Sequence, residues 1–123
     1  MDIAAESRND DSRSKPWPFV QTNVIDSHER LEAVRRHEKR HHHTSIEEVS
    51  GDLELDDQNH FTLDTPHNPS NRYPVTKAVR DLSVPALEGS FGVQGAISNS
   101  VMSLGPFQRV EKLIARHYAP LRR

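Results

Sequence analysis

The sequence predicts a mostly irregular, largely disordered chain with two or three α-helices and no compact single core. Three observations carry that expectation. Only 33% of the 123 residues are hydrophobic and 6% aromatic, while 28% are charged; ordinary domains sit at roughly 45–50% apolar on a count that includes glycine. So few apolar side chains are poorly placed to offset the entropy of ordering, roughly 1–2 kcal/mol per backbone residue. Charge also falls in blocks, and the candidate helix of the N-terminal half has a thin apolar face. The net charge of −2 does not itself force expansion.

Composition divides the chain into four parts: a disordered tail (1–15), an extended segment plus basic helix (16–43), an acidic then Pro/Asn-rich linker (44–73), and a short helix, Gly/Ser-rich loop and C-terminal amphipathic helix (74–123). The tail, "MDIAAESRNDDSRSK", is acidic and polar and lacks the basic and apolar regions of a secretory signal. In "PWPFVQTNVID", Pro16 and Pro18 favour extended geometry around Trp17. Trp17, Phe19, Val20, Val24 and Ile25 form the densest apolar cluster of this half.

Asp26 with Glu29 makes a capping-box pattern, and a helix is expected from about Ser27 to about His42. Its apolar face is only Leu31 and Val34 with Ala33, so charge pairs such as Glu32–Arg36 must support it, at about 0.2–0.5 kcal/mol each. Residues 44–64 carry seven acidic side chains and no Lys or Arg. Interleaved with Ile46, Val49, Leu53, Leu55, Phe61 and Leu63, they suit an acidic linker or an activation-type segment.

"VTKAVRDL" places Val75, Ala78, Val79 and Leu82 on one face of a short helix that starts at Pro74 and is limited by Pro85. "ALEGSFGVQGAISNSVMSLG" is expected to be loop, with a short helix near 96–103. After Pro106 comes the clearest amphipathic helix. Phe107, Val110, Leu113, Ile114 and Tyr118 line one side, as a packing stripe or a partner-binding face. From residue 65 onward eight Lys and Arg stand against three Asp and Glu.

The chemistry-bearing stretch is "RRHEKRHHH". Arg35, Arg36, Lys39 and Arg40 suit a solvated helix face, a nuclear import signal, or weak phosphate contacts without sequence selectivity. His37-Glu38-Lys39-Arg40-His41 satisfies H-E-x-x-H, which makes His37 and His41 weak metal candidates. Four flanking cations are electrostatically wrong for a dication. With no cysteine, disulfides, thiolate zinc sites and cysteine nucleophiles are excluded. "GSFGVQG" does not match the dinucleotide pattern GxGxxG, and no cofactor is expected. No stretch approaches the roughly 18–20 apolar residues that span a bilayer, so no membrane partner is expected.

"PFVQTNVIDSHERLEAVRRHEKRHHH" and "SLGPFQRVEKLIARHY" resemble, in order and spacing, the N-terminal region of fungal-specific transcription-factor-like proteins, over about a third of the chain. Those proteins commonly carry an "FVN"-type segment followed by an Arg/His-rich helix. Without cysteine the family's zinc cluster is absent. The resemblance implies a truncated, nuclear, regulatory relative.

The function expected from sequence is therefore a non-enzymatic regulatory or protein-interaction protein, intracellular with the nucleus as a candidate location, with an unidentified protein partner and an open oligomeric state. The alternatives are a small metal-binding or metalloprotease-like protein using His37 and His41, and a weak, non-specific nucleic-acid binder.

Overall fold

The computed structural model describes residues 1–101 except 8, 55 and 57, together with 105 and 106. Within them, ordered elements replace the expected irregular chain. Helices α1 (Asn9–Ser14) and α2 (Pro16–Val20) lead through a π-helical turn (Gln21–Ile25) into α3 (Asp26–Arg36). Strand β1 (His41–Ile46) follows, then a 3-10 turn (Glu47–Ser50), helix α4 (Arg72–Phe91) and strand β2 (Gly95–Ser100). The amphipathic helix expected after Pro106, with Phe107, Val110, Leu113, Ile114 and Tyr118, lies outside the described residues.

The two strands pair in parallel, with His41 opposite Gly95 and Ile46 opposite Ser100. Parallel strands need a long crossover, and residues 47–94, with α4 among them, supply it. On the other side of β1, Asp2 forms a parallel bridge with His43: its N–H donates to His42 at 2.7 Å and its carbonyl accepts from Thr44. Asp2 also ion-pairs with Arg30 of α3 at 3.1 Å and with Arg80 of α4. The N-terminal residues are thus tied to both long helices.

Buried apolar groups are few: Phe19, Leu31, Val49, Tyr73, Ala78 and Val84. The interior is completed by polar groups, among them Asn23, Ser27, His43, Ser45, Thr76, Lys77, Arg80 and Asp81. This overturns the argument from composition. Apolar residues are indeed scarce, but backbone pairing and hydrogen-bonded polar groups fill the space that an apolar core fills elsewhere.

The local corrections have identifiable causes. Pro16 and Pro18 lie in the first turn of a helix, where a missing N–H costs nothing. Asp26 does not cap, because helical backbone already precedes it; its carboxylate accepts from Gln21 at 2.8 Å. In α3 the charge pair that forms is Arg35 with Glu32, at 2.8 Å, rather than Glu32 with Arg36. Helix α4 runs through Pro85 to the left-handed Gly92 (φ 69°), whose N–H reaches the Glu88 carbonyl at 2.8 Å. Residues 95–100 form a strand, not a loop or helix; a Cβ at Gly95 would stand 2.5 Å from Val84, so α4 can approach β2 this closely only at a glycine. The expected apolar face of α4 is mostly turned outward: Val75, Val79 and Leu82 are 45%, 41% and 59% exposed.

The basic helix stops at Arg36, short of the expected His42. Glu38 adopts φ 51°, its N–H bonds to Arg35, and the N–H of Lys39 bonds to Val34 at 3.0 Å. This is the double closure that ends many helices, with Glu at the position where glycine is favoured. A left-handed residue with a Cβ costs roughly 1–2 kcal/mol. Glu38→Gly is expected to stabilise the chain by about 1 kcal/mol, read as a higher midpoint in urea unfolding with an unchanged slope.

Candidate active site

At the carboxyl end of β1 the chain turns sharply through Glu47–Ser50. Val49 is fully buried and anchors the turn, and Glu47 and Glu48 occupy its first positions. This turn packs on α4. The first turn of α4 is fixed by Asn71, whose side chain accepts from the Tyr73 N–H at 3.2 Å. Tyr73 is 7% exposed and meets the edge of Phe19, with ring centres 6.1 Å apart. Burial, then the charges of Glu48 and Glu47, push its phenol up to about 12. At neutral pH it therefore holds its proton.

Lys77 lies one helical turn further on, on the same face. It is 4% exposed, and its Nζ donates to the Thr44 carbonyl of β1 at 2.7 Å. Burial pushes the ammonium down, opposed by the charge of Asp81. Between the two, Thr76 donates to the Tyr73 carbonyl at 2.7 Å and accepts from Asn23 Nδ2 at 3.0 Å. Asn23 sits in the π-helical turn, and its amide exchanges hydrogen bonds with the Glu6 backbone at 2.9 and 3.1 Å. Such turns recur at functional sites because they aim a side chain the regular helix would misplace.

A buried phenol, a buried ammonium and a turn carrying two carboxylates form a proton-transfer constellation. Sequence reasoning passed over it. The Tyr73–Lys77 spacing was visible, but "VTKAVRDL" was weighed for its apolar residues alone.

The stretch that sequence reasoning favoured is dispersed. His37 caps α3 and His41 opens β1, with left-handed Glu38 between, so they share no helix face. His41 is buried, and burial, followed by the nearby charges of His43 and the amino terminus, holds its imidazole below the ordinary value. Among the described residues no group of three or more His, Asp or Glu is arranged to hold a metal ion. Arg35 pairs with Glu32 and stacks over Phe91, 4.9 Å from the ring centre. With Lys39 and Arg40 it lines a cleft of about 570 Å³ toward residues 91–94. That cleft lies at the amino ends of the strands, away from Glu47 and Glu48. Arg36 is the last residue of α3.

Comparison with known proteins identifies the setting. The dTDP-glucose 4,6-dehydratase of Streptomyces venezuelae, solved with NAD bound, superposes on 97% of this chain and 36% of its own, at a TM-score of 0.89 and 31% identity. A UDP-glucuronic acid 4-epimerase from Bacillus cereus shares the fold at a TM-score of 0.83 and 23% identity, over 93% of this chain and 36% of its own. The described elements are thus a portion of the Rossmann-like dehydratase and epimerase fold. The chain belongs to the GDP-mannose 4,6 dehydratase family, whose model matches residues 1–122. A dTDP-glucose 4,6-dehydratase from Mycobacterium tuberculosis is 53% identical over 114 residues, 93% of this chain and 34% of that protein. The chain spans about a third of the length of these relatives.

This corrects the expectations from sequence. The likeness to fungal transcription-factor-like proteins, with the regulatory, non-enzymatic function it implied, gives way to a family of enzymes. The metalloprotease-like and nucleic-acid-binding alternatives fall with it, the former also because the HExxH stretch is not helical. These relatives are bacterial, so the nuclear expectation and the import role of Arg35, Arg36, Lys39 and Arg40 fall too.

The turn after β1 does not fit a dinucleotide's phosphates. A glycine-rich turn opening a long helix would offer backbone N–H groups there. After β1 this chain instead has a short turn bearing two carboxylates.

One consequence is open to titration. A phenol raised from 10.0 to about 12 favours the folded state while protonated. Its contribution is complete below 10 and lost as pH rises through about 12. In a Tyr118→Phe background, ultraviolet absorbance should show Tyr73 ionising near 12, with unfolding over the same interval; ionisation near 10 with the fold intact would contradict the burial.

Proposed function

We propose that this chain supplies the proton-transfer part of a nucleotide-sugar dehydratase acting on dTDP-glucose or a close analogue. The observation that carries the proposal is the buried Tyr73 beside the charges of Glu47 and Glu48, with the buried Lys77 one helical turn further along α4. The 53% identity to a dTDP-glucose 4,6-dehydratase supports the substrate class.

Loss of water from a sugar requires a base to take a proton from carbon and an acid to protonate the departing hydroxyl. Glu47 and Glu48 are the carboxyl groups suited to those two roles. Tyr73 exchanges a proton with a sugar hydroxyl. Lys77, steadied by the Thr44 carbonyl, favours the phenolate that forms when Tyr73 gives its proton up. Asn23 and Thr76 hold the pair in place.

The test is a chimera in which this chain replaces the matching 114-residue stretch of the mycobacterial relative. Water loss from dTDP-glucose is expected in the chimera and is expected to fall about 10²–10⁴-fold with Tyr73→Phe. An inactive chimera, or one indifferent to Tyr73→Phe, would overturn the proposal.

A further inference from the structure

Behind Tyr73 and Lys77 lies a second cluster that the chemistry above does not use. Asp81 is 3% exposed, one turn beyond Lys77 on the same face of α4. Its Oδ2 accepts from Ser45 Oγ at 2.5 Å and lies 3.5 Å from His67 Nε2. Its Oδ1 lies 2.9 Å from His43 Nε2, and His43 and Ser45 are themselves fully buried. The two strand residues that Asp81 holds flank Thr44, whose carbonyl receives Lys77. Alternate strand residues share a face, so His43 and Ser45 point at α4 together.

We infer that Asp81 is a positioning residue for Lys77: it clamps β1 on α4 at the two residues flanking Thr44 and supplies the negative charge facing the buried ammonium. The inference rests on reading Tyr73 as a proton-exchanging group supported by Lys77. A one-residue slip of β1 would turn His43 and Ser45 away and remove the clamp. The carboxylate is suited to the task. Burial works to raise its proton affinity, but the contacts from His43 and Ser45 outweigh this and hold it below the ordinary aspartate value. It therefore stays charged at neutral pH, surrounded by His43 and Ser45 of the strand, His67 of the loop, and Lys77 and Arg80 of its own helix.

The experiment follows the Lys77 side-chain signal against pH by NMR in the full chain labelled at lysine, assigned with Lys77→Arg. In Asp81→Asn, which keeps the shape and removes the charge, the Lys77 midpoint should fall by about one unit or more. Lys15 and Lys39 should not move, and Asp81→Glu should restore the shift. An unmoved Lys77 midpoint in folded Asp81→Asn overturns the inference. If Asp81→Asn does not fold, the parent chain decides. There the Lys77 signal should show a second inflection where Asp81 titrates in acid, and its absence overturns the inference. Because nothing in this readout depends on dehydration, its failure leaves the acid–base reading to its own test.

Discussion

The structure depends on one buried carboxylate and the groups gathered around it. Asp81 joins α4 to β1 through Ser45 and His43 and reaches the preceding loop through His67. Removing a charge from water costs several kcal/mol unless donors replace the lost hydration. That requirement fixes which face of α4 turns inward. Lys77 and Tyr73 follow at intervals of one turn along that face, and β1, once held, can pair with β2. Fold and candidate site are consequences of the same contact set.

A second polar knot acts from the other side. Asn23 ties the π-helical turn to both the Glu6 backbone and Thr76. Asp2 joins Arg30 and Arg80. These links bring the N-terminal residues, α3 and α4 around the strand, with Phe19 and Leu31 as the apolar filling. The apolar stripe Val75, Val79 and Leu82 stays substantially exposed among the described residues of a chain about a third as long as its relatives.

Parts of this were legible in the sequence. A helix was expected over residues 27–42 and another after residue 74, and helices stand in both places, with other ends. The strands were not legible. The buried face of β1 is His41, His43 and Ser45, so the alternation that marks a strand is written in polar residues. Counting apolar side chains mistook a polar interior for no interior. The prominent basic run misled for a related reason: its charges were obvious, whereas the left-handed Glu38 that separates its two histidines had no glycine to mark it. Tyr73 and Lys77 stood at helical spacing in plain view, but their burial, and the nearness of Glu47 and Glu48 to Tyr73, are supplied only by the fold.

What matters most is that α4 turns Thr76, Lys77, Arg80 and Asp81 inward and leaves Val75, Val79 and Leu82 exposed. The chain has no cysteine, so single cysteines can report on each face without interference. Reaction rates with a thiol reagent should be compared for Thr76→Cys and Val79→Cys under native conditions. Modification should be fast at position 79 and strongly suppressed at position 76, with the protection lost on adding denaturant. Protection at 79 with free reaction at 76 would place the apolar stripe in the core and rule out this packing of α4.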